Sequence, residues 1–163
     1  MRKFYIVMCP LLLCMAFGLQ SVAQNITISG DSIATFTINK TMFREMKQAV
    51  VMAKAHDDKV HRYTGVTVAN LLAKAGILLG DTAKHKSIIS YIVVTAADNY
   101  KAIYSLPEID PLFANRTILL ADKEDKKLLA SENGPYQMIV PAEKEHARWV
   151  RQVVSIEVVT LKQ

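Results

Sequence analysis

Alternation of apolar and polar residues makes most of the chain readable. Ile26-Thr27-Ile28-Ser29 puts every second residue on one apolar face and stops at Gly30-Asp31, as a strand running into a turn does. Ala34 to Ile38 repeats the pattern with Phe36 and Ile38 on one face. Asn39 to Thr41 then supplies a cap for a short helix over Met42-Phe43-Arg44-Glu45-Met46. Ala49 to His56 reads as a strand, Asp57-Asp58 as a turn, and Val60 to Tyr63 as the returning partner. Thr67 caps a helix through Leu71, Leu72 and Ala75 that Gly76 ends. Tyr91 to Ala96 is rich in Ile and Val and predicts a buried strand, Asp98-Asn99 a hairpin turn, and Tyr100 to Tyr104 the return. Leu106-Pro107-Glu108-Ile109 starts a helical turn, with proline where its missing N–H costs nothing. Ile118-Leu119-Leu120, Tyr136 to Val140 and Val153 to Val159 complete the strands. Many short strands and few short helices, with no repeat, linker or low-complexity tract, predict one α+β domain.

The first residues follow a different pattern. Met1-Arg2-Lys3, an apolar run from Phe4 to Leu19 and Ser21-Val22-Ala23 form the three parts of a secretory signal, so cleavage is expected after Ala23 and the domain over residues 24–163. The rival is an uncleaved anchor, which the shortness of the run disfavours. The expected location is exported, periplasmic or extracellular, with no membrane association once the signal is gone. Both cysteines of the chain, Cys9 and Cys14, lie in that segment. The domain therefore has no disulfide, no thiolate nucleophile and no thiolate metal ligand, and core burial alone stabilises it. Arg2 and Lys3 also leave and no acid does, so the net charge falls from +5 to +3. A mild excess of this kind suits an anionic small molecule and excludes a nucleic-acid stripe; a protein partner is left open.

Few residue clusters suggest chemistry. Lys144, His146, Arg148 and Arg151 follow Pro141, and Arg62 and Arg116 are further candidates for clamping a phosphate or carboxylate. The plainer reading is an exposed basic loop, diluted by Glu143 and Glu145, with Trp149 as a core plug. His56 and His61 flank a turn with Asp57-Asp58 between them. Zinc needs more convergent ligands than that, so a polar hairpin tip is favoured and no metal ligand is assigned. Asp122-Lys123-Glu124-Asp125-Lys126-Lys127 reads as a solvated turn, and Asp98 and Glu108 as structural. There is no Gly-x-Ser-x-Gly elbow and no glycine-rich phosphate loop, and no catalytic residue is assigned.

Four blocks, in order, carry a resemblance. They are Tyr63-Thr64-Gly65-Val66 with Leu71-Leu72 and Ala75-Gly76; Ala97-Asp98-Asn99-Tyr100 before Tyr104-Ser105-Leu106; Ile118 to Asp122; and Gly134 to Pro141 with Arg148-Trp149-Val150-Arg151 and Ile156-Glu157-Val158. Together they resemble the oxidoreductase molybdopterin-binding domain of the sulfite oxidase family. The resemblance implies a mixed α+β fold around a cofactor groove, a molybdenum held by a pterin dithiolene and one protein cysteine, and a pterin phosphate near the loop after Pro141. That cysteine ends the strand before the Tyr-x-Gly-Val block. Here the matching stretch is Val50 to Asp57, where Ala53 and Lys54 cannot act as a thiolate.

Three readings follow. One is an exported, non-catalytic module that binds a pterin-like or other anionic ligand through Arg62, Arg116, Lys144, His146, Arg148 and Arg151. The second is a molybdenum-cofactor oxidoreductase without a protein thiolate. The third is a ligand-free structural or interaction domain. Whether any cofactor is bound is left open, with molybdopterin following from the resemblance alone. An open basic groove favours the first two; a groove filled by Met52, Tyr63, Tyr136 or Trp149 favours the third.

Overall fold

The computed structural model describes residues 25–31, 33–141 and 143–162; the expected signal segment lies outside them. Among the described residues, ten strands form two sheets. The first contains β1 (Ile26–Gly30), β2 (Ile33–Ile38), β5 (Ser90–Ala96), β6 (Lys101–Ser105) and β10 (Val153–Thr160), in the order β2-β1-β10-β5-β6. β1 and β10 pair in parallel and the other neighbours antiparallel, so the chain's first and last strands meet at the centre of this sheet. The second sheet runs β3 (Gln48–Lys54), β4 (Val60–Thr67), β7 (Leu119–Glu124), β8 (Lys127–Leu128), with β9 (Gln137–Ile139) also on β7.

Short helices join these strands where the capping chemistry allows. Asn39 accepts from the Met42 amide at the start of α1 (Lys40–Glu45), and Thr67 from the Asn70 amide at the start of α2 (Val68–Lys74). Gly76 follows α2 at φ +87, a left-handed stop that glycine adopts without strain. At α4 (Leu106–Ile109) Ser105 and Glu108 form a capping box, the Ser105 amide donating to Glu108 Oε1 at 2.8 Å.

One core joins the two sheets. Ile28, Ile92, Val94 and Ile156 line it from the first sheet, Val66, Leu119, Leu120 and Met138 from the second, and Phe43, Leu71 and Leu72 from the helices. The sheet positions alternate as the sequence pattern requires, β5 reading buried and half-buried in strict succession. Gly65 lies where the β4–β7 register shifts, and a Cβ there would sit 2.0 Å from the Leu120 carbonyl oxygen. The two backbones approach that closely only because this residue has no side chain.

The α+β expectation holds, with three local corrections. β4 continues past Tyr63 to Thr67, because polar Thr64 and Gly65 still pair with β7. The run from Asp122 to Lys127 is a hairpin: β7 carries through Glu124, Asp125 and Lys126 turn at φ +47 and +69, and β8 returns. Its first member, Asp122, is buried, and that burial raises its pKa. Residues 77–90, which show no clear period, hold a 3₁₀ turn (Asp81–Ala83) and α3 (Lys84–Ile88).

Candidate functional site

The loop between β9 and β10 carries four of the six candidate residues, Lys144, His146, Arg148 and Arg151. Trp149 anchors it. Its ring is buried against Tyr63, edge to face at 5.6 Å between centroids, and its Nε1 donates to the Val140 carbonyl at 3.1 Å. A buried indole needs such an acceptor, and the bond fixes how the loop leaves β9. A 3₁₀ turn, His146–Arg148, precedes it.

His146 meets Trp149 edge to face, 4.3 Å between centroids, and His56 meets His146 edge-on at 4.4 Å. His146 Nε2 is 2.8 Å from the Lys54 carbonyl, so this nitrogen carries the proton. His146 Nδ1 then accepts, and His56 Nδ1, 3.3 Å away, donates to it. The loop is thereby tied to the end of β3, the strand on which the resemblance locates the family's cysteine. From the β5–β6 hairpin, Tyr100 donates its hydroxyl to the Ala147 carbonyl at 2.8 Å. Together His56, Tyr100, His146, Trp149, Asp98 and Arg151 border an open hollow of about 250 Å³.

The six candidate residues separate into four groups. His146 and Arg151 border the hollow. Arg151 is exposed and makes no ion pair among the described residues. Lys144 is exposed on the same loop without bordering the hollow. Arg148 and Arg116 instead converge on Glu108. Arg148 Nη1 is 3.0 Å from Glu108 Oε1, its Nη2 donates to Glu143, and Arg116 Nη2 donates to Glu108 Oε2. The Arg148 guanidinium also stacks 4.9 Å from the Tyr104 ring centroid. Burial favours loss of the Arg148 proton, but the bonds to Glu108 and Glu143 outweigh it and raise the pKa. Arg62 is elsewhere again, on β4, donating to Thr64 Oγ1 at 3.1 Å.

His56 and His61 do not face each other across their turn. His61 turns to carboxylates, Nδ1 lying 2.7 Å from Asp125 and Nε2 3.2 Å from Asp57. His56 turns to His146, a partner 90 positions away that no local spacing could reveal. Tyr100 and Asp98 were likewise legible only as parts of a hairpin. Among the described residues no group of three or more His, Cys, Asp or Glu could hold a metal ion.

The residues present do not fit the metal centre that the resemblance implies. Ala53, buried near the end of β3, offers a methyl group. Lys54 points its ammonium at Asp58, 2.7 Å away, and its carbonyl at His146. Of the two arginines on this loop, Arg148 already holds carboxylates. Tyr63, Tyr136 and Trp149 are core side chains, while Met52 is exposed.

A search of curated proteins finds no match to the chain. Among solved structures, the fold is similar to the sulfane dehydrogenase SoxCD from Paracoccus pantotrophus at a TM-score of 0.65 and 16% identity. The match covers 83% of this chain and 38% of that one, so the present chain spans about two fifths of its length. The model of the oxidoreductase molybdopterin binding domain matches residues 19–163. With the fold and the four sequence blocks in agreement, the chain belongs to the oxidoreductase molybdopterin-binding domain family.

Proposed function

We propose that the chain is an exported, non-catalytic binding module that retains its family's fold and has lost the protein thiolate for the metal. Its ligand is a small anion, a phosphate or carboxylate, held in the hollow outside Trp149. The observation that carries this reading is the combination found there: Ala53 and Lys54 end β3 where a thiolate is needed, yet His56, His146 and Arg151 still border an open hollow. Arg151 supplies a fixed positive charge. Asp98 supplies one opposing carboxylate.

Titration calorimetry with inorganic phosphate and with a pterin monophosphate tests this. The expected result is salt-sensitive binding that weakens in Arg151→Ala. Binding of neither probe would overturn it.

A second reading draws on the packing. Trp149 and the Tyr63 ring packed on it fill the interior beneath the hollow, and Tyr136 is buried too, which suits a ligand-free interaction domain. That reading predicts that both probes fail to bind while the fold is unaffected by Arg151→Ala.

A further inference from the structure

β3 is an outer strand of the second sheet, and among the described residues no strand pairs with its far side. Its register against β4 is unbroken, from Gln48 opposite Val66 to Lys54 opposite Val60. Opposite residues in an antiparallel ladder alternate between exchanging hydrogen bonds and turning them away. The Ala55 amide donates to the Lys59 carbonyl, so in steps of two Ala53, Val51 and Ala49 also bond β4. Val50, Met52 and Lys54 therefore direct their N–H and C=O groups outward. Two observations agree with this. The Lys54 carbonyl accepts from His146, which is not on β4, and Arg62, opposite Met52, spends its own carbonyl on the Asp125 amide on the β7 side.

An open edge is a template for another chain, and proteins usually blunt it with bulges, charges, proline or short strands. The other edges here are blunted. The β2 register shifts between Phe36 and Ile33, β8 and β9 are two and three residues long, and the Ile103 carbonyl on β6 accepts from Arg148. β3 runs for seven residues with no proline and no shift of register. Its one charge, Lys54, is at the end and paired with Asp58. The side chains beside the open edge are large and apolar, Val50 being 46% and Met52 57% exposed.

We propose that β3 is a self-association edge, pairing antiparallel with β3 of a second copy about a two-fold axis at Val51. The side chains select this register. It sets Val50 opposite Met52 of the second copy, so both outward residues exchange backbone bonds and both apolar side chains meet an apolar partner. Lys54 then faces uncharged Gln48, and no like charges meet. A slip of two residues one way puts Met52 opposite Gln48, and the other way puts Val50 opposite Lys54. A strand that complements itself in one register fits a second copy of this chain, since a two-fold axis presents the same edge from both sides. An edge of seven residues with two large side chains is small beside the roughly 800 Å² per partner of a standard interface, so the dimer is weak, with a Kd on the order of 100 μM.

The test is sedimentation velocity of the purified protein from about 10 μM to about 1 mM, across which the mass should rise from monomer towards dimer. Val50→Glu and Met52→Lys, each alone, should weaken association about tenfold and leave thermal unfolding unchanged, because both side chains are exposed. An equimolar mixture of the two variants should recover association. Only the proposed register sets the introduced carboxylate opposite the introduced ammonium while keeping one Val50–Met52 pair. Hydrogen exchange at the Val50 and Met52 amides should slow as concentration rises, while the Val51 and Ala53 amides, already bonded to β4, should not change. The proposal is overturned if the protein stays monomeric throughout or if the mixture of variants does not recover association. It is also overturned if the Val50 and Met52 amides are protected in the monomer, since another part of the chain then covers this edge.

Discussion

One loop serves two regions of opposite character. On one side Arg148 joins Glu108, Glu143 and Arg116, and every charge has a counter-charge within bonding reach. On the other, His146 and Arg151 border the hollow beside Asp98, and among the described residues neither is clasped by a carboxylate. A sequence reading that counts positive residues treats them alike. What separates them is where the carboxylates fall: Glu108 comes from a helix cap some forty positions earlier, and it turns two of the candidate cations into a structural clasp. A basic cluster marks an anion site only after the acids that fold onto it have been subtracted.

Breaking the clasp should have the largest effect. Arg148→Ala leaves Glu108 and Glu143 without their shared partner in a half-buried setting. It should lower unfolding free energy by about 2 kcal/mol in urea, less than a fully buried pair because the arginine is 32% exposed. Arg148→Lys should recover only part of this, since an ammonium cannot bridge both carboxylates as the guanidinium does.

Asp122 is the contrasting case of a buried carboxylate with no clasp. Its Oδ1 has no hydrogen-bond partner, and burial, opposed by Lys123, holds its pKa above 3.8. The folded state therefore grips this proton more tightly than the unfolded chain does, and the group's contribution to stability falls as pH rises from 3.8 through the raised value. Asp122→Asn should stabilise the protein at neutral pH by about 1 kcal/mol and remove that slope. Melting curves at acid and neutral pH check both signs.

At the hollow, Arg151→Ala should leave stability within about 0.5 kcal/mol, as for an ordinary surface change. It should weaken phosphate binding about fivefold and flatten its salt dependence. Equal losses of stability from Arg148→Ala and Arg151→Ala would erase the distinction between clasp and hollow.

The smallest expected effect concerns the histidines. His61 sits among acids, and its hydrogen bonds to Asp125 and then Asp57 raise its pKa above 6.5. Its contribution is complete below 6.5 and is lost as pH rises through the raised value. His61→Gln should abolish that loss, seen as a flatter stability profile above neutrality.

The fold was largely legible because its signals are local. Asn39, Thr67 and Gly76 announce helix ends, Asp98-Asn99 announces a hairpin, and alternation places β1, β5 and β10. What escaped was non-local or aperiodic. α3 is too short to display a 3.6-residue period, and β7 hides its last turn of pairing in charged residues. At the site, the loop after Pro141 was identifiable and Trp149 proved to be its buried anchor. The assignment of individual cations was not, because it depends on Glu108 and on His56, both brought in from distant parts of the chain.

The claim at the centre of this account is that the family's fold persists here without its metal centre. Metal analysis and native mass spectrometry of the protein, purified from a host that makes molybdenum cofactor, test it most directly. The account predicts a mass equal to that of the polypeptide, with no stoichiometric molybdenum or pterin. Stoichiometric molybdenum would contradict it and show that a protein thiolate is dispensable in this fold.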